Sequence, residues 1–182
     1  MEVKYFDNSA TTRIKEAELT EMFPYLSREY GNPSSLYSIG RKSKRAIEEA
    51  RKRVASLINC KPEEIYFTSC GSESDNTALK GIAYANKNKG KHIITSKIEH
   101  PAILHSCQNL ESKGFEVTYL DVDKDGFINI QTLEKSIRKD TILVSIMFAN
   151  NEIGTIEPIE EIANIAHKNG IIFHTDAVQA AR

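Results

Sequence analysis

Residues 92–120, HIITSKIEHPAILHSCQNLESKGFEVTYL, contain the pattern that decides the fold. Two short runs, His92–Thr95 and Glu116–Leu120, are rich in β-branched and aromatic residues and predict strands. Between them, apolar residues recur at helical spacing, and Gly114 is the residue type that commonly ends a helix. A strand, a helix and a second strand in this order predict a βαβ unit with parallel strands and a right-handed crossover.

The same alternation extends to both sides of this unit. Three further apolar runs predict strands: Ile65–Thr68, Ile142–Phe148 and Ile171–His174. The last two are separated by a predicted helix that begins near Pro158 and is ended by Gly170. The sequence contains no repeat, low-complexity tract or flexible linker. The predicted class is α/β, a mostly parallel sheet with helices on both faces.

Composition excludes several classes of function. The 182 residues include 24 basic and 25 acidic side chains, and a net charge of −1 gives no general attraction to nucleic acid or anionic membranes. No apolar run approaches the roughly 18 residues that a membrane span needs. The start, MEVKYFDNSATT, has no apolar signal core, and the three cysteines show no zinc-type spacing. We therefore expect a cytoplasmic protein without a metal site, a membrane contact or a nucleic-acid partner.

One predicted helix has a basic face. Its apolar residues repeat at helical spacing (Ile47, Ala50, Val54 and Leu57), and its other face carries Arg41, Lys42, Lys44, Arg45, Arg51, Lys52 and Arg53. This face could contact nucleic acid, or it could be a solvated face balanced by Glu48 and Glu49. We favour the solvated face.

The loops after the strands are expected to carry the chemistry, because parallel sheets bind ligands at the carboxyl ends of their strands. The first such loop is Ser69–Asn76, SCGSESDN, in which Ser72 and Asp75 have capping-box spacing. Ser72 is therefore the predicted N-cap of the helix that follows. Gly71 would let a ligand approach the backbone, and the first helical turn would attract a phosphate. An ordinary capped helix remains the alternative.

Three further loops contain candidate residues. His100 directly precedes a proline that can open a helix, and its role is either structural or functional. Asn150 and Asn151 could serve as turn residues or offer amide donors to an anion or a phenolic oxygen. Asp121–Gly126 imitates the start of a calcium-binding loop, but Thr132 stands where that loop needs a glutamate. We interpret it as a polar turn.

Asp176 follows the last predicted strand directly. A carboxylate at the end of a buried strand requires a cation or a hydrogen-bond donor, because desolvation disfavours its charge. The strand ends together offer a phosphate cradle, an imidazole, amide donors and a carboxylate. Pyridoxal phosphate (PLP) would use all four, although the residues alone do not distinguish it from other phosphorylated ligands.

The chain resembles the NifS/IscS-type cysteine desulfurases, class-V aminotransferases of PLP fold type I. The matching stretches cover nearly the whole sequence and are YFDNSATT, YGNPSSLYSIGR, IYFTSCGSESDN, GKHIITSKIEHPAIL, GFEVTYLDVDKDG, TILVSIMFANNEIGTIEPI and FHTDAVQA. ANNEIG and HTDAVQ, in this order and spacing, are the most specific of them.

The resemblance implies a role for each candidate residue. Gly71 and Ser72 would hold the phosphate of PLP, and His100 would stack on its ring and act as a catalytic residue in proton transfers. The other implied cofactor-binding residues are Asn151 and Gln179 beside the phenolic oxygen, and Asp176 at the pyridinium nitrogen. Segments Asn8–Thr11 and Gly31–Ser34 would border the substrate pocket and the dimer interface.

The implied reaction converts L-cysteine to L-alanine, with the sulfur transferred as an enzyme persulfide. The implied partners are L-cysteine, a sulfur acceptor or iron–sulfur scaffold protein, and a second copy of the chain in a homodimer. The alternatives are a selenocysteine lyase or related fold-type-I PLP enzyme, and a non-catalytic truncated partner module.

The sequence departs from the family pattern in two ways. Cys70 and Ser72 replace the more usual glycine and threonine, and we expect Cys70 to be a small buried filler rather than the sulfur acceptor. The resemblance also places the Schiff-base lysine and the catalytic cysteine beyond residue 182. Residues 1–182 would then be an N-terminal segment and an incomplete PLP-binding large domain without the C-terminal small domain. We expect this chain to be inactive alone and to associate through its uncovered apolar surface.

Overall fold

The computed structural model describes residues 4–180 and contains a parallel four-stranded sheet. In chain order the elements are α1 (Glu16–Ser27), α2 (Ser38–Leu57), a short 3₁₀ helix (Pro62–Glu64), α3 (Gly71–Asn86), β1 (His92–Ser96), α4 (Pro101–Glu111), β2 (Glu116–Leu120), α5 (Ile130–Ser136), β3 (Thr141–Ser145), α6 (Ile159–Lys168) and β4 (Ile172–His174). The strands lie side by side in the order β2-β1-β3-β4, and every neighbouring pair is parallel. The predicted α/β class is therefore confirmed.

Helices cover both faces of the sheet. Successive side chains of a strand point to opposite faces, so the two central strands contribute to two separate cores. Ile93 and Leu143 pack with residues of α3 and α4, among them Leu79, Ile103 and Leu110. Ile94 and Val144 pack on the other side with residues of α5 and α6, among them Leu133 and Ile162. The near-continuous apolarity of these strands follows from burial on both faces.

The described chain consists of two compact units, residues 4–67 and residues 68–180. No Gly-, Ser- or Pro-rich linker marks the boundary in the sequence. Within the first unit, α1 buries none of its residues, and Ile47 and Val54 of α2 are each 37% exposed. Arg51 and Arg53 of α2 form ion pairs with Glu48 and Glu49, as the interpretation of a solvated, charge-balanced face predicts.

The prediction of a strand at Ile65–Thr68 is wrong, because this segment is extended but pairs with no strand among the described residues. Its carbonyl group at Ile65 instead accepts a hydrogen bond from the Arg51 guanidinium, which lies 5.0 Å above the Phe67 ring. The Arg51 side chain thus supplies the hydrogen bond to the Ile65 carbonyl that a neighbouring strand would otherwise supply. β-branched and aromatic composition cannot distinguish these two settings.

The other four strand predictions are confirmed, with shifts of one residue at an end of β1 and β4 and a larger change at β3. β3 ends at Ser145, whereas the apolar run predicted a strand as far as Phe148. Beyond the strand, the Ile146 and Phe148 amides donate to the carbonyl groups of His174 and Asp176. These bonds hold the two segments together beyond the end of the β3–β4 pairing.

Within residues 4–180, no helix has both the length and the apolarity to cross a membrane.

Candidate active site

The N-terminus of α3 has a different cap from the predicted one. The helix begins at Gly71 with Cys70 as N-cap, so Ser72 lies inside the first turn and the prediction that it caps the helix is wrong. The expected capping box is not formed, because the Asp75 side chain is buried and the Glu73 carboxylate accepts the Ser69 amide at 2.6 Å. No side-chain hydrogen bond caps the helix at Cys70, and the thiol that lies near the Ser72 and Glu73 amides is a weak acceptor. First-turn N–H groups of this 16-residue helix are therefore available to an anionic ligand.

The loop after β4 lies against this helix end. A β-carbon built on Gly71 would lie 3.0 Å from Cγ2 of Val178, and the Val178 amide donates to the Asp176 carboxylate at 3.0 Å. The Asp176 carbonyl in turn accepts the Phe148 amide at 2.8 Å. Gln179 follows in the same turn and is half-buried. The structure therefore brings Gly71, Asp176 and the turn with Gln179 to one end of the sheet.

A second carboxylate, which the sequence analysis took for a capping residue, lies beside Asp176. Asp75 is buried, and this burial, together with the negative charge of Asp176, raises the pKa of its carboxyl group to about 6. His100 acts in the opposite direction and lowers the Asp75 pKa. The negative charge at this end of the sheet suits a cationic ligand group.

His174 lies beside Asp75. Its Nε2 atom is 3.9 Å from the Asp75 carboxylate, and its Nδ1 atom is 2.9 Å from the Ser145 hydroxyl. Burial lowers the pKa of His174, so the imidazole is neutral at pH 7 and does not neutralise the two carboxylates. Thr175, the next residue, has a buried hydroxyl with no hydrogen-bond partner among the described residues.

His100 is the N-cap of α4, and Pro101 occupies the first helical position. Its Nδ1 atom accepts the Ala102 amide at 3.2 Å. In this arrangement the neutral ring carries its proton on Nε2. His100 therefore has a structural role at the helix end, and its influence on Asp75 also places it near the carboxylates.

The two asparagines after β3 have different surroundings. Asn150 is buried, its amide group donates to the Ile98 carbonyl at 2.8 Å, and its oxygen accepts the amides of Glu152 and Ile153. It is thus a turn residue. Asn151 is half-buried and its amide group donates to the Glu152 carboxylate at 3.3 Å, in a turn that continues to Gly154 with φ +77°. Asn151 is the better placed of the two to contact a ligand.

Sequence reasoning missed Glu99, which lies between β1 and His100. Its side chain is buried, and one carboxylate oxygen accepts the Ser96 hydroxyl at 2.7 Å and the Met147 amide at 3.0 Å. Burial is the main cause that raises the pKa of Glu99, to about 7. The sequence did offer one indication of its role, because Glu99 is an acidic residue in the loop that directly follows a buried strand.

Cys70 is exposed, so the prediction of a buried filler is wrong. The N-cap position turns its side chain away from the core, and the Glu73 amide and the Ser69 hydroxyl lower the pKa of its thiol.

The predicted turn at Asp121–Gly126 is present, since the Asp123 carboxylate accepts the amides of Asp125 and Phe127. Over residues 4–180, His, Cys, Asp and Glu side chains do not form a group that could hold a metal ion.

The two N-terminal segments of the family resemblance lie in the first compact unit. Asn8–Thr11 includes a turn in which the Ser9 hydroxyl donates to the Asp7 carboxylate. In Gly31–Ser34, the Asn32 side chain accepts the Ser34 amide at 2.9 Å.

The sequence matches the family model described as aminotransferase class-V over residues 4–182. The chain belongs to the class-V aminotransferase family. Within it, the chain is 61% identical over 176 residues to cysteine desulfurase IscS from Methanosarcina thermophila, an alignment that covers 97% of this chain and 44% of that relative.

Two solved structures, a NifS-like protein and SspA in complex with cysteine, each superpose with a TM-score of 0.94, at 44% and 43% identity. They match 97% and 98% of this chain and 49% and 51% of their own length. The resemblance to an N-terminal portion of the NifS/IscS-type enzymes is therefore confirmed. The chain spans about half the length of the relatives it matches.

Proposed function

We propose that this chain provides the cofactor-binding part of a PLP-dependent cysteine desulfurase. The complete enzyme would convert L-cysteine to L-alanine and pass the sulfur, as an enzyme persulfide, to iron–sulfur cluster assembly. The observation that carries the proposal is the meeting of the uncapped α3 N-terminus, His100 and two carboxylates at the carboxyl end of a class-V aminotransferase sheet.

The residues at this end fit PLP, because they match its two opposite charges. The uncapped helix end suits the phosphate, which Gly71 and Ser72 would hold. The negative potential of Asp176 and Asp75 suits a protonated pyridine nitrogen, which Asp176 would bind. Asn151 and Gln179 would bind the phenolic oxygen. When bound, PLP supplies an electron sink that stabilises negative charge at the α-carbon of an amino acid.

The chain's own side chains would act on protons and orientation. Asp176 would keep the proton on the pyridine nitrogen through its negative charge, which also contributes to the raised pKa of the neighbouring Asp75. His100 would stack on the ring and would move protons through Nε2, because its Nδ1 atom accepts the Ala102 amide.

The wider context of the enzyme is also part of the proposal. A sulfur acceptor or iron–sulfur scaffold protein would be the partner, and the enzyme would be a cytoplasmic homodimer. Free thiols at Cys60, Cys70 and Cys107 are typical of a reducing compartment. Exposed apolar side chains on α1, such as Phe23 (58%) and Leu26 (71%), provide surface for association.

We propose further that residues 1–182 alone do not turn over cysteine. Two of the lysines nearest the candidate site in sequence are engaged elsewhere. The Lys80 amine donates to Asn76 on α3, and the Lys97 amine pairs with Asp121. We therefore infer that neither of these two lysines forms the Schiff base.

The function is tested by measuring alanine formation from L-cysteine with the complete product of the gene and added PLP. We expect His100→Ala to lower the rate at least about 100-fold, which is the typical contribution of a proton-transferring group. His105→Ala, an exposed histidine on the same helix, is the matched control and keeps the wild-type rate.

Absence of alanine from the wild-type protein, or equal rates for the two histidine variants, would contradict the proposal. Parallel assays with selenocysteine distinguish a desulfurase from a selenocysteine lyase.

A further inference from the structure

The two loops that carry His100 and Asn151 leave the sheet from neighbouring strands. β1 and β3 are paired up to Thr95 and Ser145, and beyond this point their backbones no longer pair. The backbone groups past the end of the ladder need other partners if they are buried. Two of them, the Met147 amide and the Ile98 carbonyl, obtain these partners from side chains of the opposite loop.

Glu99 forms the first of these connections. It is 4% exposed, and its carboxylate reaches from the β1 loop to the Met147 amide at 3.0 Å while also accepting the Ser96 hydroxyl at 2.7 Å. Its second oxygen is buried and has no partner among the described residues. Burial raises the pKa of Glu99 to about 7, and the nearby charges of Asp176 and Glu157 act in the same direction.

Asn150 forms the second connection, in the opposite direction. Its amide group donates to the Ile98 carbonyl at 2.8 Å, from the β3 loop to the β1 loop. Its oxygen holds its own turn by accepting the Glu152 and Ile153 amides at 2.8 and 3.0 Å. Each connecting residue directly precedes a candidate site residue: Glu99 precedes His100, and Asn150 precedes Asn151.

We propose that Glu99 and Asn150 are positioning residues, which fasten the loop that carries His100 to the loop that carries Asn151. This proposal rests on the proposed function, because the roles of His100 and Asn151 toward the cofactor come from it. The reciprocal hydrogen bonds fix the separation of the two loops before any ligand binds. Errors of about 1 Å in such placements can reduce rates about 100-fold.

The chain offers variants that separate positioning from stability. Glu99→Gln keeps an oxygen acceptor and is neutral, as the protonated carboxyl group is, whereas Glu99→Ala removes the connection. Asn150→Asp keeps the oxygen that holds the turn but sets an acceptor against the Ile98 carbonyl. Glu157→Ala is the matched control, because Glu157 is also 4% exposed and accepts a backbone amide, that of Ile128.

The first experiment uses nuclear magnetic resonance on the 182-residue chain without cofactor. We expect Glu99→Ala and Asn150→Asp to shift the side-chain nitrogen signals of His100, and Glu99→Ala to speed hydrogen exchange at the Met147 amide at least tenfold. We expect Glu99→Gln to keep the wild-type His100 signals and the wild-type exchange rate at the Met147 amide. Glu157→Ala speeds exchange at Ile128 and leaves His100 unchanged.

The second experiment measures the dissociation constant of PLP for the same proteins. Glu99→Ala and Asn150→Asp are expected to weaken binding about tenfold, while Glu99→Gln and Glu157→Ala bind within twofold of the wild type. Absence of PLP binding to the wild type would contradict the proposed function, and the resonance data would still report the connection between the loops. The positioning role is overturned if Glu99→Gln behaves like Glu99→Ala, or if His100 responds equally to the Glu157 control.

Discussion

Asp75 shows at the scale of one residue why spacing in the sequence did not reveal its surroundings. Its distance of three residues from Ser72 indicated a capping box, but the helix begins one residue earlier and Asp75 points to the interior, near Asp176 and His174. Asp176 lies about 100 residues further along the chain, so no local pattern could link the two. The position of the loop that carries Asp176 was predictable, because parallel strands end at the same edge of a sheet, whereas α3 follows a segment that is not a strand.

The shifted pKa of Asp75 predicts how stability depends on pH. Folding raises this pKa from its ordinary value of 3.8 to about 6, so the folded chain holds the proton more tightly than the unfolded chain. The contribution of Asp75 to stability is complete below about pH 4 and is lost as the pH rises through 6. We expect Asp75→Asn to increase the free energy of unfolding by about 1 kcal/mol at pH 8 and to have little effect at pH 4.

Urea unfolding at the two pH values measures this difference. Equal effects of Asp75→Asn at pH 4 and pH 8 would show that the Asp75 carboxyl group is not perturbed in the folded chain.

At the scale of elements, apolar runs predicted the four strands of the second unit and helical spacing predicted α4 and α6, because the central strands β1 and β3 are covered on both faces. The short helix α5 was not predicted. The apolar pattern failed at Ile65–Thr68, where an arginine rather than a strand satisfies the extended backbone. It also gave no indication of how side chains connect the strands. His92 in β1 is the clearest example, since it is fully buried and its two ring nitrogens lie 2.7 Å from the Thr141 hydroxyl and 2.9 Å from the Thr118 hydroxyl.

This histidine links the three strands β2, β1 and β3, and each hydroxyl is therefore expected to contribute to stability. Thr118→Val leaves a ring nitrogen of His92 without its partner and should reduce the free energy of unfolding by about 1–3 kcal/mol. Thr118→Ser keeps the hydroxyl and serves as the control, with a loss below about 1 kcal/mol. Denaturant unfolding at pH 8, where His92 is neutral, is the measurement.

The lowered pKa of His92 adds a second expectation. Burial disfavours its charged form in the folded chain, so the associated stability is present above the ordinary pKa of 6.5 and is lost as the pH falls below it.

If Thr118→Val and Thr118→Ser unfold at the same urea concentration, the histidine does not act as a link between strands.

At the scale of the whole molecule, the chain has two compact units and spans about half the length of its relatives. The candidate residues for phosphate, ring and nitrogen binding all belong to residues 68–180. Binding of the cofactor can therefore be examined separately from turnover, which the family resemblance assigns to further residues. Because parallel strands end at one edge of a sheet, the sequence predicted that the loops after β1, β3 and β4 lie at the same edge. The α3 N-terminus follows a segment that is not a strand, so its place beside them required the three-dimensional structure, as did the connections through Glu99 and Asn150.

In the proposed function, Asp176 and the α3 N-terminus act on one ligand, and equilibrium binding of PLP to the 182-residue chain tests this directly. We expect Asp176→Asn to weaken binding about 10- to 100-fold, the range for loss of a charged hydrogen bond. Asp121→Asn, an exposed carboxylate that also directly follows a strand, should bind as the wild type does. Pyridoxal without the phosphate should bind weakly to every form. Equal PLP affinities for Asp176→Asn and the wild type would contradict the account.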